Sequence, residues 1–249
     1  MPFEFAVGMS LPGHFRAETV RRVVEYGHEV AQLLGFEMVG DVFDVDADTI
    51  RDVVELIQQD LEYEGPRPDH PYTFWLGGAD ERMCQVAEIV DRYCARATGA
   101  KWESALVPEG YTVYPSRLIG FYAKCGRGCG PLYFAFAQYP PEVALIDPPY
   151  ANMWSAFTDP NEHGAYRISE AHFVQCHLRH VWLFRLVKKR FPYLRIRVRD
   201  DGEFWQTEDV HRLLGKAAVY ACFLNLVANN LSEAGFEVVA PDGEAVSSE

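Results

Sequence analysis

Positive charge is scarce in this 249-residue chain: 23 Lys and Arg stand against 36 Asp and Glu, a formal net charge of −13. General nucleic-acid binding works by neutralising phosphates, so this balance argues against it. Residues 188–199 are locally basic, but Arg195, Arg197 and Arg199 alternate as the solvent face of a strand does. Long apolar runs are missing as well. No stretch approaches the 18 uninterrupted apolar residues of a membrane span, so no membrane association is expected. The first residues lack a basic stretch followed by an apolar core, so no secretory leader is expected. GxSxG, Walker, HExxH and CxxC signatures are absent, and no nucleophile is marked by its neighbours. The six cysteines, Cys84, Cys94, Cys125, Cys129, Cys176 and Cys222, are scattered, and four of them fall in helical patterns. That suits reduced thiols in a soluble cytoplasmic protein better than a disulfide framework.

What is present is an ordinary globular composition, 49% hydrophobic and 24% charged, sufficient for a full core. The length allows one large domain or two small ones. Periodicity and breakers predict strands at 3–7, 36–45, 72–76 and 102–107 and helices at 14–34, 47–61 and 79–96, with a turn at 10–13 and a loop at 108–110. In the second half, strands 118–124 and 132–139 flank Cys-Gly-Arg-Gly-Cys-Gly-Pro, whose breakers make a hairpin turn. Residues 140–168 read as irregular. A helix at 169–191, a strand at 193–199, a short strand at 203–206, a helix at 208–233 and a strand at 236–240 follow. This order predicts an α+β protein of two ferredoxin-like halves, 1–110 (βαβ-type) and 111–240 (βαββαβ from Leu132 onward), able to share one core. Residues 241–249 would form a disordered tail. The alternative is a single open α/β sheet with helices on both faces.

The chain is organised around the helix at 169–191. With about 100° between successive residues, Phe173, Val174, Val181, Phe184, Val187 and Phe191 share one sector, while Gln175, Arg179, Lys189 and Arg190 lie opposite. Ser169 is placed to cap the N-terminus, Glu170 and Lys188–Arg190 suit the helix dipole, and Pro192 ends the helix. His177 projects into the middle of the apolar sector. A buried imidazole without a partner costs on the order of 1–3 kcal/mol, so it should have one. A backbone carbonyl would make it a core residue. A carboxylate would make it a polar anchor or an acid/base group, with Asp200 or Asp201 of the Asp-Asp-Gly turn the expected orienting group.

Other residues suggest a wall for a pocket near His177. The stretch around Tyr150, Asn152, Trp154 and His163 mixes aromatics with short polar groups, and Trp205 is either a hairpin core residue or part of the same wall. His172 and Cys176, spaced i, i+4, form a workable zinc pair, and Cys125 and Cys129 sit on one tight turn. His180 continues that edge but lies about 12 Å along the axis from His172, too far to share its ion. A four-ligand site from Cys125, Cys129, His172 and Cys176 is sterically feasible. No other sequence feature calls for a metal, and the six thiols are read as ordinary.

Asp147-Pro148-Pro149-Tyr150 follows the apolar run 143–146 and resembles the four-residue active-site motif of the amino-methyltransferases that modify adenine or cytosine in nucleic acid. The resemblance implies that Asp147 and Tyr150 hold the target base. It covers these four residues alone. Gly126-x-Gly128-x-Gly130 offers the glycines of a cofactor loop, yet Lys124 stands where that family has an acid, and residues 131–139 read as strand rather than helix. The expected function is therefore small-molecule binding or acid/base catalysis around a buried histidine, with cofactor, reaction and protein partner undefined. The alternative is a non-catalytic protein-interaction module, with the methyltransferase reading behind both.

Overall fold

The structure is a computed structural model, and it describes residues 4–46, 74–77, 110–113, 115–139, 153–160 and 162–233. The chain forms two compact units, Phe5–Arg199 and a second made of Met1–Glu4 with Asp200–Glu249. Helices accompany a seven-stranded antiparallel sheet, so the α+β class holds.

In the larger unit, β1 (Phe5–Pro12) leads into α1 (Ala17–Leu33), then β2 (Met38–Val39), β3 (Phe43–Asp46), β4 (Phe74–Gly77), β5 (Gly110–Val113), β6 (Arg117–Lys124), β7 (Pro131–Gln138) and β8 (Met153–Thr158). Two helices follow, α2 (His163–Ile168) and α3 (Glu170–Arg190), and then β9 (Arg195–Asp200). The main sheet runs β2-β6-β7-β8-β1-β9, with β3 also on β6, while β4 and β5 pair separately. Strands from both halves of the sequence thus join one sheet: β1 lies between β8 and β9.

Alternation gives the sheet two different faces. Phe5, Val7, Met9 and Leu11 of β1 are all buried. Phe134 stacks on Phe121 at 5.2 Å and on Phe184 of α3 at 6.0 Å. A Cβ added to Gly27 of α1 would lie 2.9 Å from the same Phe134 ring. Both long helices therefore cover the face to which Phe134 points, and each fully buried large side chain there contributes about 1.5–3 kcal/mol. The opposite face carries a smaller cluster, Leu118, Ala135 and Ala137, under Phe43, Val45, Tyr133 and Tyr139.

Several predicted elements shift. β1 continues through the expected turn at 10–13, because antiparallel pairing with β8 carries it to Pro12. The strand expected at 36–45 divides into β2 and β3, both on β6. Helix α1 begins at Ala17 rather than residue 14, and Gly35 ends it at φ +72°. Gly110, expected in a loop, pairs with Gly77 in β5. The "irregular" residues 140–168 contain β8 and α2. Among the described residues from Leu132 onward the order is β7-β8-α2-α3-β9 followed by helices, which does not reproduce the expected β-α-β-β-α-β. The helices expected at 47–61 and 79–96, the strands at 102–107 and 236–240 and the tail at 241–249 lie outside the described residues.

The smaller unit holds α4 (Phe204–Thr207) and α5 (Val210–Glu233). The short strand expected at 203–206 is instead the single helical turn α4, initiated where the Asp200 carboxylate accepts from the Gly202 and Trp205 amides. Among the described residues, Val210–Val227 is long and apolar enough to cross a bilayer by length and composition, and 12% of it is buried in the protein. Val219, Phe223 and Leu226 are exposed along it.

Candidate functional site

Helix α3 carries the chemistry. Ser169 caps it as expected, its Oγ accepting from the His172 amide at 3.1 Å. At the other end the Lys188 ammonium donates to the carbonyls of Pro192 and Leu194. Between the caps, Phe173, Cys176, His177, His180, Val181, Leu183, Phe184 and Val187 are buried.

His177 is fully buried, as its place in the apolar sector requires. Its ring meets Phe5 edge-on at 5.0 Å, and its Nδ1 lies 2.8 Å from Glu162 Oε2. The other oxygen of that carboxylate lies 2.5 Å from Nδ1 of His180, which is equally buried. One carboxylate therefore clasps two imidazoles. Glu162 reaches them because it immediately precedes α2. That helix folds back at Ser169 and packs on α3, with Tyr166 edge-on to Phe173 at 5.5 Å. Burial by itself would raise the Glu162 carboxyl. Charge and hydrogen bonding from His177, then from His180, outweigh it and hold the pKa at about 2. His180 Nε2 is buried with no hydrogen-bond partner among the described residues, between the rings of Phe5 and Phe36.

One helical step away is a second cluster. The β6–β7 hairpin apex presents Cys125 and Cys129, both buried, to the first turns of α3. Cys129 Sγ lies 2.7 Å from Cys176 Sγ, and Cys176 Sγ lies 3.8 Å from His172 Nε2. The donor atoms of Cys129, His172 and Cys176 all fall within 4.8 Å of one another. The Cys125 thiol donates to the Cys176 carbonyl at 3.6 Å. Hydrogen bonds from Cys125 and Cys129, with His172 nearby, bring the Cys176 thiol down to about 3. Cys129 is driven up by its hydrogen bonds to Cys125 and Cys176 and by burial. At Cys125 the contact with Cys129 pulls down, but hydrogen bonding to Cys176 and burial prevail and raise it. Two glycines shape the apex: a Cβ on Gly126 would lie 3.0 Å from the His172 ring, and at Gly128, whose φ is +73°, an added Cβ would lie 2.5 Å from the Gly164 backbone.

The remaining expected residues separate. Glu162 takes the orienting position on His177 that spacing suggested for Asp200 or Asp201. Asp200 caps the turn described above, and Asp201 exchanges two bonds with Glu4, its amide donating to the Glu4 carbonyl and its carboxylate accepting from the Glu4 amide. Trp154 is a core residue of β8, its indole N–H donating to the Phe15 carbonyl at 3.1 Å. Trp205 is half-buried on α4, not in a hairpin strand. His163 opens α2. Tyr150, Asn152 and the Asp147-Pro-Pro-Tyr150 motif lie outside the described residues. A cleft of about 380 Å³ is lined by Ser10, Pro12, Gly13, His14, Met153 and Arg195, none of them an expected site residue.

Sequence reasoning missed Glu162 and His180. His180 had a usable signal, its i+3 spacing from His177 on the same face. Glu162 had none, since its proximity depends on the fold-back between α2 and α3. No family model, curated protein or solved structure matches the chain.

Proposed function

We propose that this protein binds a small molecule bearing a hydrogen-bond donor, anchored on the imidazoles that Glu162 holds. The observation that carries this reading is His180 Nε2. Whenever the His180 ring is neutral, with Nδ1–H given to Glu162, Nε2 is an acceptor, and among the described residues it is buried without a protein partner. Such a group costs on the order of 1–3 kcal/mol, which a donor on a ligand would recover. Phe5 and Phe36 supply apolar walls, the usual surroundings of a few convergent polar groups. A carboxylate-oriented imidazole is also the arrangement used in proton transfer, so acid/base chemistry on the bound molecule is the catalytic form of the same proposal. Among the described residues Cys125, Cys129 and Cys176 are buried free thiols, which supports a cytoplasmic setting.

The test is a ¹⁵N-imidazole spectrum of the full chain recorded through a library of small alcohols, amines and amides. A saturable shift at His180 Nε2 is expected, and Glu162→Gln should weaken it. A His180 signal that no compound moves overturns the proposal.

A further inference from the structure

We infer that Cys125, Cys129, His172 and Cys176 form a four-ligand site for one zinc ion, which pins the β6–β7 hairpin to α3. Three observations carry this independently of the ligand proposal. First, the donor set is right: three sulfurs and one imidazole nitrogen are the Cys₃His complement of closed, structural zinc sites. Second, two separate elements converge. A Cys-x₃-Cys hairpin apex meets a His-x₃-Cys pair on one helix face, and the donor atoms of Cys129, His172 and Cys176 lie within 4.8 Å of one another. The Cys125 thiol borders them, 3.6 Å from the Cys176 carbonyl. Third, the surroundings are built for it. The three cysteines are buried, and Gly126 leaves open the space that a side chain would fill against His172 and Cys176.

Charge points the same way. Cys129 and Cys176, their sulfurs 2.7 Å apart, cannot both ionise without a cation between them, and a bound divalent ion stabilises every thiolate. Three thiolates and Zn²⁺ sum to −1, and the Arg179 guanidinium, 3.1 Å from the Cys125 carbonyl, lies beside that charge. Zn–S bonds of about 2.3 Å in a tetrahedron separate sulfurs by roughly 3.8 Å, so loading moves Cys129 and Cys176 apart by about 1 Å. His172 must also trade its 2.7 Å contact with the Arg127 carbonyl for the ion. With four protein ligands no position is left open for substrate, which makes the site structural rather than catalytic.

The test is zinc content of the full chain purified under reducing conditions, without chelator or affinity metal. About one zinc per chain is expected. Cobalt added to chelator-treated wild type should give the visible bands of tetrahedral thiolate coordination and a thiolate-to-cobalt charge-transfer band. Cys129→Ser and His172→Ala should each lower zinc content several-fold, whereas a variant combining Cys84→Ser, Cys94→Ser and Cys222→Ser should keep it. Because single variants can fail to fold, the wild-type cobalt titration stands by itself. Metal-free protein that takes up no tetrahedral cobalt overturns the inference, as does a Cys129–Cys176 disulfide found by thiol counting on freshly isolated chain.

Discussion

Cys176 and His177 are neighbours in the chain, yet their side chains leave α3 about 100° apart and enter different chemistries. His177 joins Glu162 and His180 in a cluster whose members complement one another: one acid clasps two imidazoles. Cys176 joins Cys125, Cys129 and His172, where the three acidic members are all of one kind and the hydrogen bonds are sulfur contacts. The first cluster is held by its own hydrogen bonds; the second, on the zinc inference, takes a cation from outside. The difference shows that burial of polar groups on one helix can have two unlike causes within a single turn.

The largest expected effect comes from removing the acid. Glu162→Ala strands two buried imidazoles, and breaking a buried pair costs about 3–5 kcal/mol, read as a lowered urea midpoint. A midpoint within error of wild type would mean that the clasp contributes nothing. Acid should act on the same group. Its folded pKa, about 2, lies below the ordinary 4.5, so its contribution is present above the ordinary value and fades as pH falls from there toward 2. In urea titrations across that range, Glu162→Gln should show a flatter decline than wild type.

Gly128→Ala probes the seam between the clusters, because the hairpin apex rests there on the backbone of α2. A positive φ and a 2.5 Å clash together should cost on the order of 1–3 kcal/mol. Amide exchange should speed up on both α2 and the apex; exchange confined to the apex would separate the two regions mechanically. The smallest effect is Ser169→Ala, about 1 kcal/mol from the lost cap, which should lower both clusters together since both hang from α3.

Much of this was legible from residue order. The cap at Ser169, the span of α3, the inward histidine and the 118–139 hairpin follow from local periodicity and breakers, which short-range physics controls. The exposed alternation of Arg195, Arg197 and Arg199 followed too. What stayed hidden depends on distant pairing. Strand β1 extends through Pro12 because β8 lies beside it, and β8 itself was masked by a stretch rich in turn formers. A helix-then-strand return pointed to Asp200, downstream of His177, but a carboxylate 15 residues upstream reached the ring through the bend at Ser169. The cysteine spacings suggested a feasible metal set, and only the docking of the hairpin apex against α3 brought the sulfurs together.

The shared carboxylate has one more consequence. Two ring N–H protons lie in a buried, aromatic-lined interior, where exchange with solvent is slow. They should give sharp, far-downfield resonances at ordinary temperature, a natural beacon by which the integrity of the interior could be followed without any added label.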